Sequence, residues 1–388
     1  MCKKMSLREF SHIPRQVGPK VQERINALKI GQKMQDLPEE LWHESFRYYV
    51  KEDPSRKGGP NLRIIRLDPS KPSLTVTGYI FNKFVHPTEN RYITPREAAR
   101  LQGFPDDFLF CGNLTSVQRQ VGNAVPVQLA ASATKAILEH IEQHNPFGLG
   151  LDECGYDKFP AISLFSGAGG MDIGVTQAVH KKMAFEINVC VEFDHDCCET
   201  LRKNFRNGTH VVEGDIALIN PKDVVRLCNT RHSLLPLVIG GPPCQAFSQA
   251  GKQKGTEDAR GKLIFEFLRF IEETQPVYFI MENVANIRAV AKGKLFRDIQ
   301  ERVDNLGYNL TSNLLSAANY GAAQLRKRFV FIGVKKPIPA VPAPPPTHGN
   351  SNDSLFIIKP YVTVRDAFKG LPSLDNNVLT SEYNVVNR

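Results

Sequence analysis

Ala161-Ile162-Ser163-Leu164-Phe165-Ser166-Gly167-Ala168-Gly169-Gly170-Met171 is the stretch that decides the fold. Residues 161–165 read as a strand, a glycine-rich turn follows, and a helix is expected to start near Met171. Glycines between a strand and a helix let a ligand approach the backbone closely. From Ala161 onward strands and helices alternate, the pattern of a doubly wound parallel sheet. The second strand, Val189-Cys190-Val191, ends in Glu192, about 20 residues past the last glycine, where such folds hold a ribose hydroxyl. A third strand, Val211-Val212-Glu213, leads into Gly214-Asp215-Ile216, whose carboxylate suits an adenine amino group. The spacing does not separate S-adenosylmethionine from a nicotinamide dinucleotide.

A second stretch carries chemistry. The apolar run Leu234 to Ile239 reads as a buried strand, and Gly240-Gly241-Pro242-Pro243-Cys244-Gln245 follows it. Two glycines and two prolines force a tight, rigid loop at the carboxyl end of that strand, where open α/β sheets place their active sites. A cysteine that only fills a core needs no such collar, so Cys244 is read as a nucleophile. Glu282-Asn283 ends the strand Val277 to Met281. In Gln324-Leu325-Arg326-Lys327-Arg328, the two arginines stand at i, i+2 on one face of the strand entered at Arg328.

Taken together, Pro242-Pro243-Cys244-Gln245, Phe165 to Gly170, Glu282-Asn283-Val284, Gln324 to Arg328, Arg96 to Pro105 and Gln120 to Pro126 resemble the motifs of the DNA cytosine-5 methyltransferases. The resemblance covers roughly residues 75–335. It implies an S-adenosylmethionine-dependent, Rossmann-like methyltransferase fold, a doubly wound α/β sheet with a smaller target-recognition domain. It implies S-adenosylmethionine as methyl donor and no metal. Phe165, Gly167, Gly169, Gly170, Glu192, Phe193, Asp215, Ile216, Pro242 and Leu263 would line the donor site, closed by Asn123 and Ala124. A side chain at Gly169, as in Gly169→Val, is expected to block the donor. Cytosine C5 is too weak a nucleophile to attack a sulfonium methyl until another group adds at C6. That is the role implied for Cys244, with Glu282 protonating or hydrogen-bonding ring N3 and the exocyclic amine. Asn283 would hold the loop, and Arg326 and Arg328 would reach the base O2 and the catalytic loop. A base inside a duplex must be flipped out for this chemistry. The polar, basic, glycine-hinged loop after Cys244 suits closure over DNA, with Ser248 and Lys252 near phosphates.

The motif order departs from the family's usual one. The Arg96–Pro105 and Gln120–Pro126 segments precede the glycine-rich motif instead of ending the chain, as in a circular permutation. The organisation expected is a small domain beginning over 1–85, a hinge segment over 86–114 and a cofactor-site segment over 115–143. A permutation linker over 144–160, a catalytic domain over 161–335, and a connector with the second part of the small domain over 336–388 would follow. The proline-rich run after Lys335 reads as a connector leaving the large domain. Basic residues including Arg15, Lys20, Arg24 and Arg66 fall in the first small-domain segment.

Composition agrees. The chain of 388 residues with 41% hydrophobic content is long enough to bury a full core, and a net charge of +9 favours a polyanionic partner. It has no apolar run long enough for a membrane span and no signal-peptide core. Its eight cysteines lack paired metal-ligand spacing. The reading is a cytoplasmic, monomeric enzyme acting on double-stranded DNA in a restriction–modification system. Its cognate endonuclease would act on the same site without necessarily binding it. A tRNA cytosine-5 methyltransferase and a non-catalytic DNA-binding homologue are the alternatives. A nicotinamide-dependent dehydrogenase explains neither the Pro-Pro-Cys nor the Gln-x-Arg-x-Arg motif.

Overall fold

The computed structural model describes residues 11–52, 64–78, 83–148, 157–205, 208–228, 234–243, 261–350 and 358–374. The chain forms two compact units, one of residues 1–123, 323–325 and 360–388, the other of residues 124–322 and 326–359. The first contains α1 (Pro19–Ala27), α2 (Glu44–Lys51), β1 (Ile65–Arg66), β2 (Ser73–Leu74), β3 (Phe84–Val85), α3 (Pro95–Gln102) and α4 (Leu114–Asn123).

The second unit opens with α5 (Val127–His144), β4 (Asp157–Leu164), α6 (Gly170–Gln177), β5 (Val179–His180) and β6 (Met183–Glu192). It continues through α7 (His195–Asn204), β7 (His210–Glu213), α8 (Pro221–Cys228), β8 (Leu237–Gly240), α9 (Lys262–Thr274) and β9 (Tyr278–Val284). Then come α10 (Lys294–Asn305), β10 (Tyr308–Ser316), β11 (Gln324–Leu325), which is counted with the first unit, and β12 (Lys327–Lys335).

Its strands form one sheet in the order β10-β12-β9-β8-β4-β6-β5, with β7 also paired to β6. The β9-β8-β4-β6-β7 block is parallel; β12 and β10 run antiparallel at one edge. From β4 the chain builds outward to β6 and β7, then returns to add β8 and β9 on the other side. The strand order therefore reverses between β4 and β8, the switch point where such sheets open a crevice. Register aligns the carboxyl ends there: Leu164 pairs with Val191 and with Gly240, Gly240 with Met281, and Glu192 with Glu213. Every loop leaving these ends emerges on one edge of the sheet.

Two apolar layers cover the faces. On one, Leu129, Ala133, Ile137 and Ile141 of α5 and Met171 and Val175 of α6 pack with Phe159, Ile187, Ile239 and Ile280. On the other, Ile264, Phe267, Leu268 and Ile271 of α9 and Ile299 of α10 meet Ile162, Val238, Phe279 and Phe331. α5 lies tightly on α6 through Gly174, where an added Cβ would stand 2.4 Å from the Val127 carbonyl oxygen and 2.6 Å from Ala130 Cβ.

Several boundaries differ from the sequence reading. β4 begins at Asp157, inside the stretch read as linker, because residues 157–160 pair in register with 183–186 of β6. β9 runs through Glu282 to Val284 instead of stopping at Met281, since Val330 and Arg328 of β12 pair with Glu282 and Val284. On α9 the fully buried face is Ile264, Phe267, Leu268, Phe270 and Ile271, while Leu263 is only partly buried. The run after Lys335 stays on its own unit: Val341 is fully buried, and the Asn309, Thr311 and Tyr320 side chains donate to the carbonyls of Ile338, Val341 and Pro344.

In the first unit, residues from both chain ends meet. α11 (Val364–Phe368) follows the backbone bonds Val364 N–Lys71 O and Arg365 N–Pro69 O, and Arg100 donates to the carbonyls of Ala367 and Lys369. α3 carries a full capping box, Thr94 with Glu97, and Glu97 also holds buried Arg91. Arg66, counted above among the basic residues of the first small-domain segment, is buried and donates to the carbonyls of Leu28, His86, Glu89 and Ile25 and to Asn90 Oδ1. It is a structural tie.

Candidate active site

The loop after β4 starts with Phe165 and Gly167 in the left-handed region, φ 53° and 55°, and ends at Gly169, φ 84°. The Gly167 N–H donates to Glu192 Oε2 at 2.7 Å, while Phe193 and Asp194 N–H groups donate to Oε1, each at 2.9 Å. Glu192 thus ties the loop to the end of β6. Burial pushes its carboxyl up against the pull of those three N–H groups. Phe193 leaves 69% of its surface exposed, a large apolar face beside this carboxylate in the chain. Asp215 caps the turn at Ile216–Leu218 by accepting from Ala217 N–H, and Ile216 is buried.

The glycines divide their work. A Cβ on Gly167 would meet nothing within 4 Å, so its backbone faces open space. A Cβ on Gly169 would lie 2.7 Å from the Phe205 ring and 3.1 Å from Leu201, which are part of the packing. The expectation that a side chain at Gly169 blocks a ligand is therefore corrected: it would strike the protein's own core, and Gly167 holds the open approach. Gly170 begins α6 and is buried.

Across the switch point, β9 places Glu282 at the same level, 8% exposed. Its Oε1 lies 2.7 Å from Arg328 Nε, and its Oε2 would be 3.4 Å from a Cβ on Gly241. The same hypothetical Cβ would be 3.8 Å from Val125 Cγ2, so the start of the second unit borders this corner. Desolvation raises the Glu282 carboxyl although Arg328 and Arg326 both pull it down. Arg326 is 2% exposed, and burial beside Arg328 lowers its guanidinium to about 9. Asn283, also buried, donates from Nδ2 to the Pro242 carbonyl at 2.9 Å and accepts from Val284 N–H. It pins the loop two residues before Cys244.

Cys244, Ser248 and Lys252 lie outside the described residues. Leu263 is partly buried near the start of α9. Ala124 opens the second unit, whereas the exposed Asn123 ends α4 in the first. Sequence reasoning passed over Asp172. It reads as an ordinary acid in a first helical turn, yet its neighbours Met171, Ile173, Gly174 and Val175 are all buried. The signal in the sequence is the apolar Met171, Ile173 and Val175 on either side of it, which leave this turn no polar face.

An open backbone cradle at Gly167, a carboxylate fixed at its rim and a large exposed aromatic next in the chain fit an adenosyl donor. The buried Glu282–Arg328 pair lies across the switch point from them. The family model for C-5 cytosine-specific DNA methylase matches residues 7–139 and 159–387, and the chain belongs to that family. It is 42% identical over 225 residues to the type II methyltransferase M.AquIA of Picosynechococcus, covering 54% of this chain and 88% of that protein. It is 37% identical over 181 residues to M.NgoPII of Neisseria gonorrhoeae, covering 47% and 49%. It is 38% identical over 216 residues to M1.HphI of Haemophilus parahaemolyticus, covering 55% and 53%. The chain spans about half the length of the latter two relatives. The family is one of DNA cytosine methyltransferases and implies S-adenosylmethionine as donor. Among the described residues no helix is long and apolar enough to cross a membrane, and no cluster of metal-binding side chains occurs.

Proposed function

We propose that this protein methylates C5 of a cytosine flipped out of duplex DNA, as the modification enzyme of a type II restriction–modification system. The observation that carries the reading is Glu282, a buried carboxyl with a raised pKa, held by Arg328 beside the loop that leads to Cys244. A proton retained on that carboxyl can be given to, or shared with, ring N3 of a cytosine. The ring is then electron-poor at C6, where the Cys244 thiolate adds and C5 becomes nucleophilic. S-adenosylmethionine, when bound, supplies a methyl group on a sulfonium. Gly167 leaves room for it, Glu192 takes its ribose, Phe193 its adenine face, and Asp215 its adenine amino group. Asn283 keeps Pro242 in place so that Cys244 meets the base from a fixed loop. Arg326 and Arg328 orient the base and keep the Glu282 carboxyl from rising as far as burial alone would take it. Ser248 and Lys252 contact phosphates, and the first unit, built from both chain ends, reads the target sequence.

The motif order is that of a circular permutation. Packing of α5 on α6 through Gly174 supports this, because it sets Val127 and Ala130, just after the early Ala124-Val125 pair, against the helix entered from the donor motif without continuity of chain.

The test is a denaturing gel after incubation with tritiated S-adenosylmethionine and duplex DNA containing 5-fluorocytosine. Fluorine at C5 cannot leave as a proton, so a covalent band is expected, absent in Cys244→Ser. A band on substituted tRNA alone would move the substrate to RNA, and none on either would refute the reading.

A further inference from the structure

Asp172 is wholly buried in the first turn of α6, the helix entered from the donor loop. Cys190 Sγ donates to its Oδ1 at 3.4 Å, and Ser163 hydrogen-bonds it from β4. Ser166, in the loop itself, donates to Ser163 Oγ at 2.9 Å. One chain of polar contacts therefore joins β4, the loop, α6 and the strand that ends in Glu192. All its other members are neutral hydroxyls and a thiol that burial keeps protonated. Asp172 Oδ2 is buried and has no hydrogen-bond partner among the described residues. Among the described residues, the charged group that acts most on it is Glu192, of the same sign. The opposite face of α6 meets Val127 and Ala130 of α5, which bring no charge.

Among the described residues an ionised carboxylate so placed has no cation for a partner, and low-permittivity surroundings make that costly. Methyl transfer changes one property of the donor that such a group senses: a sulfonium becomes a thioether, and one positive charge is lost. We propose that Asp172 makes the donor site prefer the sulfonium donor over the neutral thioether product, promoting release after each turnover. This rests on the donor-site assignment above. Asp172 acts through the field it adds beneath the loop and through the hydroxyls it holds; it is a positioning residue that also sets specificity.

Because burial raises Asp172 to about 6, the preference switches on as pH rises through that value. Titration calorimetry on the full chain without DNA, with S-adenosylmethionine and with S-adenosylhomocysteine between pH 5 and 8, gives the ratio of their Kd values. The ratio should move toward the donor by roughly tenfold across this range, the equivalent of one pKa unit of linkage. In Asp172→Asn, close in shape but uncharged, the pH-dependent part should vanish; Glu192 remains, so whatever it contributes stays in both proteins. Ser163→Ala keeps the charge but removes a donor to it, and should move the transition upward in pH. An unchanged ratio and profile in Asp172→Asn, or an unmoved transition in Ser163→Ala, overturns the proposal. Failure of the wild type to bind either ligand would instead overturn the donor site, and the proposal with it.

Discussion

Arg328 Nε stands 2.7 Å from Glu282 Oε1 in a corner where the carboxylate is 8% exposed. Burial raises the acid while the guanidinium lowers it, and burial prevails. A carboxyl whose pKa lies above its ordinary value keeps its proton to higher pH. Activity that needs the protonated form therefore falls on the alkaline side. Arg328→Met removes one opposing cation and should shift that falling limb of kcat to higher pH, with a rate loss of roughly 10- to 100-fold. A pH–rate series with donor in excess checks it; a limb that stays in place would deny Glu282 the role of acid.

The two loop glycines separate ligand from fold. Gly169→Val forces a branched residue to φ 84° and onto the Phe205 ring, so it should destabilise the protein by about 2–4 kcal/mol. Gly167→Val bears strain of about 1–2 kcal/mol but projects into open space. Its donor affinity should fall more than tenfold while thermal unfolding shifts little. Calorimetry with S-adenosylmethionine and a melting curve on each variant suffice. Equal affinity in Gly167→Val and wild type would remove this loop from the donor site.

How much of this was readable from residues alone follows a physical divide. The strand–loop–helix at Ala161 to Met171, the acid ending β6 and the apolar runs of β8 and β9 are local signals, set by period and by glycine, and they lie where expected. Boundaries that depend on pairing were misplaced. Nothing within residues 157–160 announces a strand; their partners on β6 do. Arg66 reads as one more basic residue because its five acceptors come from two segments distant in the chain, 25–28 and 86–90. Asp172 was hidden for the same reason, its partners Ser163 and Cys190 being supplied by two neighbouring strands.

Asn283 offers a test of loop support without touching a reacting atom. Asn283→Ala leaves the Pro242 carbonyl without its buried donor, a loss of about 1–3 kcal/mol in stability. The rate of covalent capture by 5-fluorocytosine DNA should drop by at least tenfold, because the loop carrying Cys244 is no longer fixed. Donor affinity should stay within twofold. Capture at the wild-type rate would show that the loop holds its shape without Asn283.

The seat of α5 on α6 can be probed at Gly174. An alanine there brings Cβ to 2.4 Å from the Val127 carbonyl oxygen and 2.9 Å from Ala131 N, backbone atoms that cannot rotate away. Overpacking of this kind costs about 1–3 kcal/mol, and more where backbone must shift. Gly174→Ala should therefore lower the denaturation midpoint clearly, whereas Gly18→Ala, where a Cβ meets nothing within 4 Å, should not. Similar midpoints for both variants would show that the early segment is not firmly docked.

Asp172 also leaves a signature in stability. Its folded-state pKa, about 6, lies above the value of 3.8 expected for a free aspartate. The folded protein therefore binds the proton more tightly. The resulting contribution is fully present below about pH 4 and is lost as pH rises through 6. At about 1.4 kcal/mol per unit, wild type should lose on the order of 2–3 kcal/mol over that window relative to Asp172→Asn. Subtracting the two urea-unfolding profiles cancels the histidines, which titrate alike in both. Saturating S-adenosylmethionine should shrink the difference, because its positive charge offsets the ionised carboxylate. S-adenosylhomocysteine should not. A flat difference profile would mean that the Asp172 carboxyl keeps its ordinary value, and the pH-dependent preference inferred from it would be overturned.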